Sequence, residues 1–225
     1  MPARGTAAAR GAEPSRLYRR FVSECARAAR EQGAALWCEQ SAAERAFVRG
    51  HYRPGRALVA GCGTGRFVQE LLDWGAQVTA IDRDESMCSL VRERFGARVD
   101  VHCVELRELA DALDGARFDT MLCLGLVSGA LFLPGEEPVA CLAAMRRSLA
   151  GRGVLLLDFL QASGQGQLAR FAYPLGEARI PGCCFWPSRS QVLSCLQRAG
   201  LRARMHRLRY DPAEPLWGAS CLAAG

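Results

Sequence analysis

The sequence predicts an α/β fold: a doubly wound, mostly parallel sheet of seven strands preceded by a helical segment. Three observations carry that expectation. From position 57 onward, short apolar runs alternate with amphipathic segments, the pattern of a parallel sheet with helices on both faces. The first run, Arg56-Ala-Leu-Val-Ala, flows into Gly61-Cys-Gly63-Thr-Gly65, three glycines spaced by two. The second, Val78-Thr-Ala-Ile, stops at an acid, Asp82. Glycines at such a loop let the backbone turn tightly and approach a ligand where a Cβ would collide. An acid at the next strand tip can accept both hydroxyls of a ribose.

The elements follow in order. Residues 1–13 are small, polar and Arg-rich, and are expected to form a disordered tail. Ser15 is placed to cap a helix starting at Arg16, in which Leu17, Phe21, Cys25 and Ala28 repeat at helical spacing. A second amphipathic segment covers 41–49, so 14–50 reads as an N-terminal helical region and 51–225 as the main domain. Strands are expected at 57–60, 77–81, 99–104, 118–124 and 153–159, and helices at 66–74, 84–95, 137–150 and 187–199. Residues 105–113 read as a short turn or helix. The run 153–159 is apolar throughout, as a parallel strand buried on both faces should be. Residues 201–210 and 217–223 read as a closing antiparallel pair. The stretch 161–186 breaks the alternation and is expected to build a pocket, with Phe171, Tyr173, Phe185 and Trp186 as walls.

Composition excludes several classes. Half of the 225 residues are apolar, enough for a full core in one domain. No 18 apolar residues run uninterrupted, so a membrane span is not expected, and the N-terminus lacks the apolar core of a secretory signal. All 29 basic residues are arginine, which removes a lysine Schiff base and the phosphate loop that needs Gly-Lys-Ser/Thr. The net charge of +6 is scattered rather than striped with aromatics, so nucleic acid is not an expected partner. The eleven cysteines show neither C-x-x-C nor zinc spacing, and no metal is expected. Cys103, Cys123, Cys141 and Cys195 fall at core positions, and free thiols in this number point to a reducing, cytoplasmic setting. Cys183-Cys184 leaves a vicinal disulfide or a soft-metal site open.

The dinucleotide fingerprint is G-x-G-x-x-G; here the third glycine comes one residue early and Arg66 stands where that pattern wants Gly or Ala. The spacing G-x-G-x-G, with Asp82 following Gly65 by 17 residues, resembles the class I S-adenosylmethionine (SAM) methyltransferases. Glu105 after the third strand, the run Phe118-Asp119-Thr-Met-Leu-Cys and the segment from Met145 to Asp158 are similar to further family motifs. The resemblance spans Ala57 to about Leu208 and implies a Rossmann-like methyltransferase domain with the N-terminal helices as a lid. It implies SAM as cofactor, cradled by Gly61, Cys62, Gly63 and Gly65. Asp82 would hold the ribose with Arg83 beside it, Glu105 and Leu106 would meet the adenine, and Leu124 would offer a carbonyl to the methionine ammonium. Tyr18 or the Arg19-Arg20 pair of the lid, Arg20 above all, would face the methionine carboxylate. One departure stands out: the family's acid two residues before the first glycine is Val59 here. Locally, Leu58-Val-Ala-Gly-Cys-Gly63 is similar to the thiopurine-type enzymes, which also lack that acid.

The implied activity is methyl transfer to an O, N or S atom of a small-molecule acceptor. A catalytically inactive SAM-fold partner and an NAD-dependent oxidoreductase are the rivals. Catalytic candidates are Tyr18 in the lid, His102 in a strand expected to be central, and Ser128 just past the fourth strand. His51 sits at the edge opposite the cofactor loops, and His206 lies on a late strand. Trp37 is a candidate to close the site, and the N-terminal helical region is a candidate homodimer surface.

Overall fold

The computed structural model describes residues 7–32, 41–162, 164–175, 178–209 and 216–224. Trp37 and positions 1–6 therefore lie outside the described residues. Helices α1 (Ala7–Gln32) and α2 (Ala42–His51) come first. Then follow β1 (Arg56–Ala60), α3 (Val68–Asp73), β2 (Gln77–Asp82), α4 (Glu85–Phe95), β3 (Val99–Cys103), α5 (Leu109–Ala112) and β4 (Phe118–Cys123). After α6 (Pro138–Arg147) and β5 (Leu149–Leu160) the chain leaves the main sheet for β6 (Gln167–Leu175) and β7 (Ala178–Trp186). It returns through α7 (Arg189–Arg198), β8 (Leu201–Arg209) and β9 (Leu216–Ala223).

The main sheet has seven strands in the order β3-β2-β1-β4-β5-β9-β8. The first five are parallel; β9 runs antiparallel to β5 and to β8. Strand alternation sorts the core into two layers. Leu58, Ala60, Leu155 and Leu157 face α5, α6 and α7 through Leu109, Leu142, Met145 and Leu196. Ala57, Val59, Val154 and Leu156 face α2, α3 and α4 through Phe47, Val68, Leu71 and Val91. Order reverses between β1 and β4, and in open α/β sheets that switch point opens a crevice at the carboxyl ends of the strands.

Three local features place the site. Ser41 caps α2 in a reciprocal box with Glu44: Glu44 N–H donates to Ser41 Oγ at 3.1 Å and Ser41 N–H to Glu44 Oε2 at 2.9 Å. A π-type turn, Val127–Leu131, follows β4; such turns recur at functional sites. Helix α1 buries Phe21, Cys25, Ala28 and Ala29 against Met87 and Leu90 of α4 and Ile180 of β7.

Several expectations are corrected. Helix α1 starts at Ala7, not at Arg16, so 7–13 is helical rather than tail. Alanine is the strongest helix former, and Ser15 donates its hydroxyl to the Pro134 carbonyl, 3.2 Å away, instead of capping. β3 is an edge strand, so His102 is not central; its Nε2 meets Asp100 at 2.7 Å. Cys103, at the tip of that edge, is exposed rather than core. The 161–186 stretch forms the antiparallel ribbon β6-β7. In it Cys183 and Cys184 are separate free thiols on opposite faces, which closes the vicinal-disulfide reading. Cys183 donates to the Pro14 carbonyl at 3.1 Å, tying the ribbon to α1.

Candidate functional site

One cavity of about 860 Å³ lies over the carboxyl ends of β1, β2, β4 and β5. That volume sits in the upper part of the range for small-molecule sites. Its floor is the loop after β1. Gly61 and Gly63 have φ of +67° and +51°, a left-handed backbone that an L side chain rarely adopts. A Cβ on Gly63 would meet nothing within 4 Å, because that position faces open cavity. A Cβ on Gly65 would meet the Phe95 ring at 2.7 Å. Gly65 is therefore a packing glycine beneath the loop and does not line the cavity, contrary to the sequence expectation. Thr64 and Arg66 line it instead.

Asp82 lines the cavity where expected. Gly63 N–H and Asp84 N–H donate to its two carboxylate oxygens, each at 3.0 Å, fixing the group while leaving lone pairs for a ligand. Burial pushes this carboxyl above the usual range, and the two backbone bonds oppose the shift. Arg83, Glu105 and Leu106 line the same end, where Arg83 pairs with Glu136 at 3.0 Å. Leu124 and Gly125, after β4, line the middle.

Helix α1 forms one wall through Tyr18, Arg19, Phe21 and Val22. Ser23 donates to Asp84 at 3.2 Å, pinning the helix over the loop after β2. Burial, with Asp82 nearby, pushes the Tyr18 phenol above its ordinary value, so it is a proton donor rather than a base. Arg20 is exposed and does not line the cavity; Arg19 does. One residue is about 100° of helix, enough to turn Arg20 to solvent. The ribbon, packed against α1, supplies Phe171, Tyr173, Cys184 and Trp186 to the adjoining wall. Phe185 faces away and stacks on Phe132, 6.4 Å between centroids.

The other catalytic candidates fare differently. Ser128 lines the cavity, but its hydroxyl oxygen accepts from Leu160 N–H at 2.5 Å, a bond that joins the π-type turn to β5. His102 does not line the cavity. Nor do His51 and His206, which pack on each other at 4.6 Å between ring centroids. Outside the cavity wall, Glu85, Cys88 and Cys103 bring one ligand atom each within 4.8 Å of one another, a grouping that sequence spacing does not show.

Three of the cavity residues that were not anticipated act on one another: Glu44, Arg66 and Asp158. Glu44 is 8% exposed and Asp158 3%. Arg66 pairs with Glu44 across a short contact. Asp158 accepts from Gly125 N–H at 2.5 Å. The capping box Ser41-x-x-Glu44 was readable as a helix start, and Asp158 as the end of an apolar run; neither pattern marks a ligand site by itself.

A switch-point crevice floored by a glycine loop, with an acid at the second strand tip, is an arrangement of the Rossmann-like class. Residues 57–153 match the family model "Methyltransferase domain". The malonyl-[acyl-carrier protein] O-methyltransferase of Serratia marcescens is 31% identical over 149 residues, 65% of this chain and 55% of that protein. The ubiquinone biosynthesis O-methyltransferase of Idiomarina loihiensis is 28% identical over 108 residues, 47% of this chain and 42% of that protein. The chain thus spans about half the length of the curated relatives it matches. Among solved structures, the Burkholderia thailandensis 1,6-didemethyltoxoflavin-N1-methyltransferase, with its bound substrate and S-adenosylhomocysteine, superposes with a TM-score of 0.65 at 23% identity. The alignment covers 99% of this chain and 93% of that one. The glycopeptide N-methyltransferase MtfA complexed with sinefungin gives 0.65 at 18% identity, over 80% and 85%. Residues 57–153 are thus similar to a methyltransferase domain, and these solved methyltransferase structures share the fold of the chain.

Proposed function

We propose that this chain binds SAM and transfers its methyl group to an O, N or S atom of a small-molecule acceptor. The observation that carries the reading is one cavity with two unlike walls. The nucleoside side is backbone and carboxylate: Gly63 open to the cavity and Asp82 held by two N–H groups. The other side is aromatic: Phe171, Tyr173 and Trp186 on the ribbon. The residues present fit the cofactor, since the buried carboxylate and the bare left-handed glycine suit a ribose and a close backbone approach.

In this reading Asp82 accepts from the ribose hydroxyls, Glu105 and Leu106 border the base, and α1 acts as the lid. SAM brings a methyl on a sulfonium, an electrophile that needs no further activation. What remains for the chain is alignment and exclusion of water, and such positioning can supply about 7–11 kcal/mol of a barrier. Neither catalytic candidate that lines the cavity, Tyr18 or Ser128, offers a free base, which supports that division. The Tyr18 phenol is held protonated and the Ser128 oxygen is engaged by Leu160. An acceptor whose nucleophile loses its proton readily, such as a thiol or an amine, suits this wall best. Two of the relatives are named for ubiquinone biosynthesis and a carrier-bound malonyl group and a third for ribosomal RNA, and the scattered arginines of this chain support a small acceptor over nucleic acid. The thiols support a reducing cytoplasmic setting.

The test is calorimetric titration with SAM, S-adenosylhomocysteine and NADH, alongside mass spectrometry of ligand copurified with the chain. The expected result is micromolar binding of the first two and none of the third. Binding of NADH alone overturns the reading in favour of an oxidoreductase. Tight SAM binding with no turnover on any thiol, amine or hydroxyl acceptor favours the inactive partner.

A further inference from the structure

We propose that Glu44 and Asp158 together replace the acid missing at position 59 and form the site for the amino group of the aminoacyl tail on the bound nucleoside. The inference rests on the SAM-binding reading above and adds two carboxylates to the carbonyl expected from Leu124.

Strand parity carries the first step. Val59 and its neighbour Ala57 face the α2-α3-α4 layer. Val154 and Leu156 of β5 face the same layer, so Asp158, two residues further along, projects to that face as well. An acid at 59 would reach toward α2. In its place Val59 is 7% exposed among apolar neighbours, and the carboxylate arrives from α2 itself, as Glu44. Both carboxyls line the same cavity, near enough that the Glu44 charge raises the Asp158 carboxyl.

The sheet order carries the second step. Asp82 ends β2 and Asp158 lies near the end of β5, three strand spacings away across β1 and β4, or about 14 Å. The adenine-side residues Glu105 and Leu106 follow β3, beyond Asp82 on the far side. A nucleoside laid along this edge with its ribose on Asp82 extends its tail past Gly61 and Gly125 toward Glu44 and Asp158.

The charge state fits a waiting cation site. Among the described residues, the groups acting on the pair are Arg66 from the glycine loop, Cys123 from β4 and the Gly125 N–H, and Arg209 of β8 lines the same cavity. Burial raises the Glu44 carboxyl, but Arg66 and the Ser41 bonds outweigh it and leave it below its ordinary range. Burial, set against the Gly125 N–H bond and reinforced by Glu44, pushes Asp158 up to about 7. The pair therefore shares one proton near neutrality. An incoming ammonium supplies hydrogen bonds and charge to both carboxylates and displaces that proton into solvent.

The experiment compares SAM with 5′-methylthioadenosine, the same nucleoside without the amino acid, by calorimetry at pH 6.5 in two buffers of different ionisation enthalpy. The variants are Glu44→Gln, which keeps the capping box because Gln also serves there, and Asp158→Asn. For the wild type, SAM binding should release up to about one proton and methylthioadenosine none. Each variant should weaken SAM at least tenfold, leave methylthioadenosine within twofold, and abolish the proton release. Variants that keep wild-type SAM affinity, or that weaken both ligands equally, overturn the inference while leaving the SAM reading intact. A wild-type chain that binds neither ligand overturns both. Circular dichroism of the two variants separates loss of fold from loss of site.

Discussion

Gly63 and Gly65 look equivalent in the sequence and should behave oppositely when given a methyl group. Both have positive φ, +51° and +84°, so alanine at either position carries a backbone penalty of about 1–2 kcal/mol. At Gly63 the new Cβ meets nothing within 4 Å, so that penalty is the whole cost to the fold. At Gly65 the Cβ would stand 2.7 Å from Phe95 Cε2 and 3.5 Å from Val91 Cγ2, inside the layer beneath the loop. Overpacking adds about 1–3 kcal/mol, for a total of about 2–5 kcal/mol. At about 2–4 °C per kcal/mol for a chain of this size, Gly65→Ala should lower the melting temperature by about 4–20 °C and Gly63→Ala by about 2–8 °C. Ligand affinity should run the other way. Gly63→Ala fills cavity space and should weaken S-adenosylhomocysteine at least tenfold, whereas Gly65→Ala should leave affinity within about threefold below its melting point. Differential scanning fluorimetry and calorimetric titration read the two quantities separately. A Gly63→Ala protein that binds normally, or a Gly65→Ala protein that loses the ligand without losing stability, would refute the division of labour within the loop.

Two further outcomes follow from the buried acids. Asp82→Ala should weaken SAM by at least tenfold in calorimetry with little change in far-UV circular dichroism, since charge-assisted bonds to the ribose carry about 1.5–3 kcal/mol each; an unchanged dissociation constant would remove Asp82 from the site. Asp158, raised from its ordinary 3.8 to about 7, keeps in the folded state a proton that the unfolded chain gives up. Between about pH 4 and 7 the folded state thus binds more protons, and the ligand-free protein should lose stability as pH rises, by up to about 1.4 kcal/mol per unit. Urea unfolding at several pH values should show that slope, and Asp158→Asn should reduce it without abolishing it, because Asp82 is shifted in the same direction. A slope unchanged by Asp158→Asn would show that the group does not hold its proton.

The sheet was legible because its strands carry the strongest local signals. β5 contains seven consecutive buried residues, and each parallel strand ends at a glycine, an acid or a turn. The closing antiparallel pair was legible for the same reason. The ribbon β6-β7 was not, because Pro181 and Gly182 interrupt its second strand. Both strands of a two-stranded ribbon are edges, where a proline is tolerated, so a rule drawn from central strands misreads it. Cofactor-side backbone positions were legible from glycine spacing, but spacing could not separate Gly63, which faces the cavity, from Gly65, which faces Phe95. The choice between Arg19 and Arg20 depended on helix phase, and the sequence offered no landmark to set it. Glu44 and Asp158 were invisible as a pair because 114 residues separate them and only the folded sheet brings α2 over the end of β5.

Helix α1 touches both halves of the cavity, and this ties together the traffic of whatever occupies them. Tyr18 stands by the nucleoside side, while Phe21 packs edge-on against Phe171 of the ribbon, 4.9 Å between centroids. An outward movement of the helix would open both halves at once. The same geometry channels divergence. A substitution at Trp186 reshapes the aromatic wall alone. A substitution at Phe171 displaces Phe21, and through it the helix, so a change in one ligand preference is felt by the other. Drift in specificity is therefore expected to collect on the part of the ribbon that α1 does not grip.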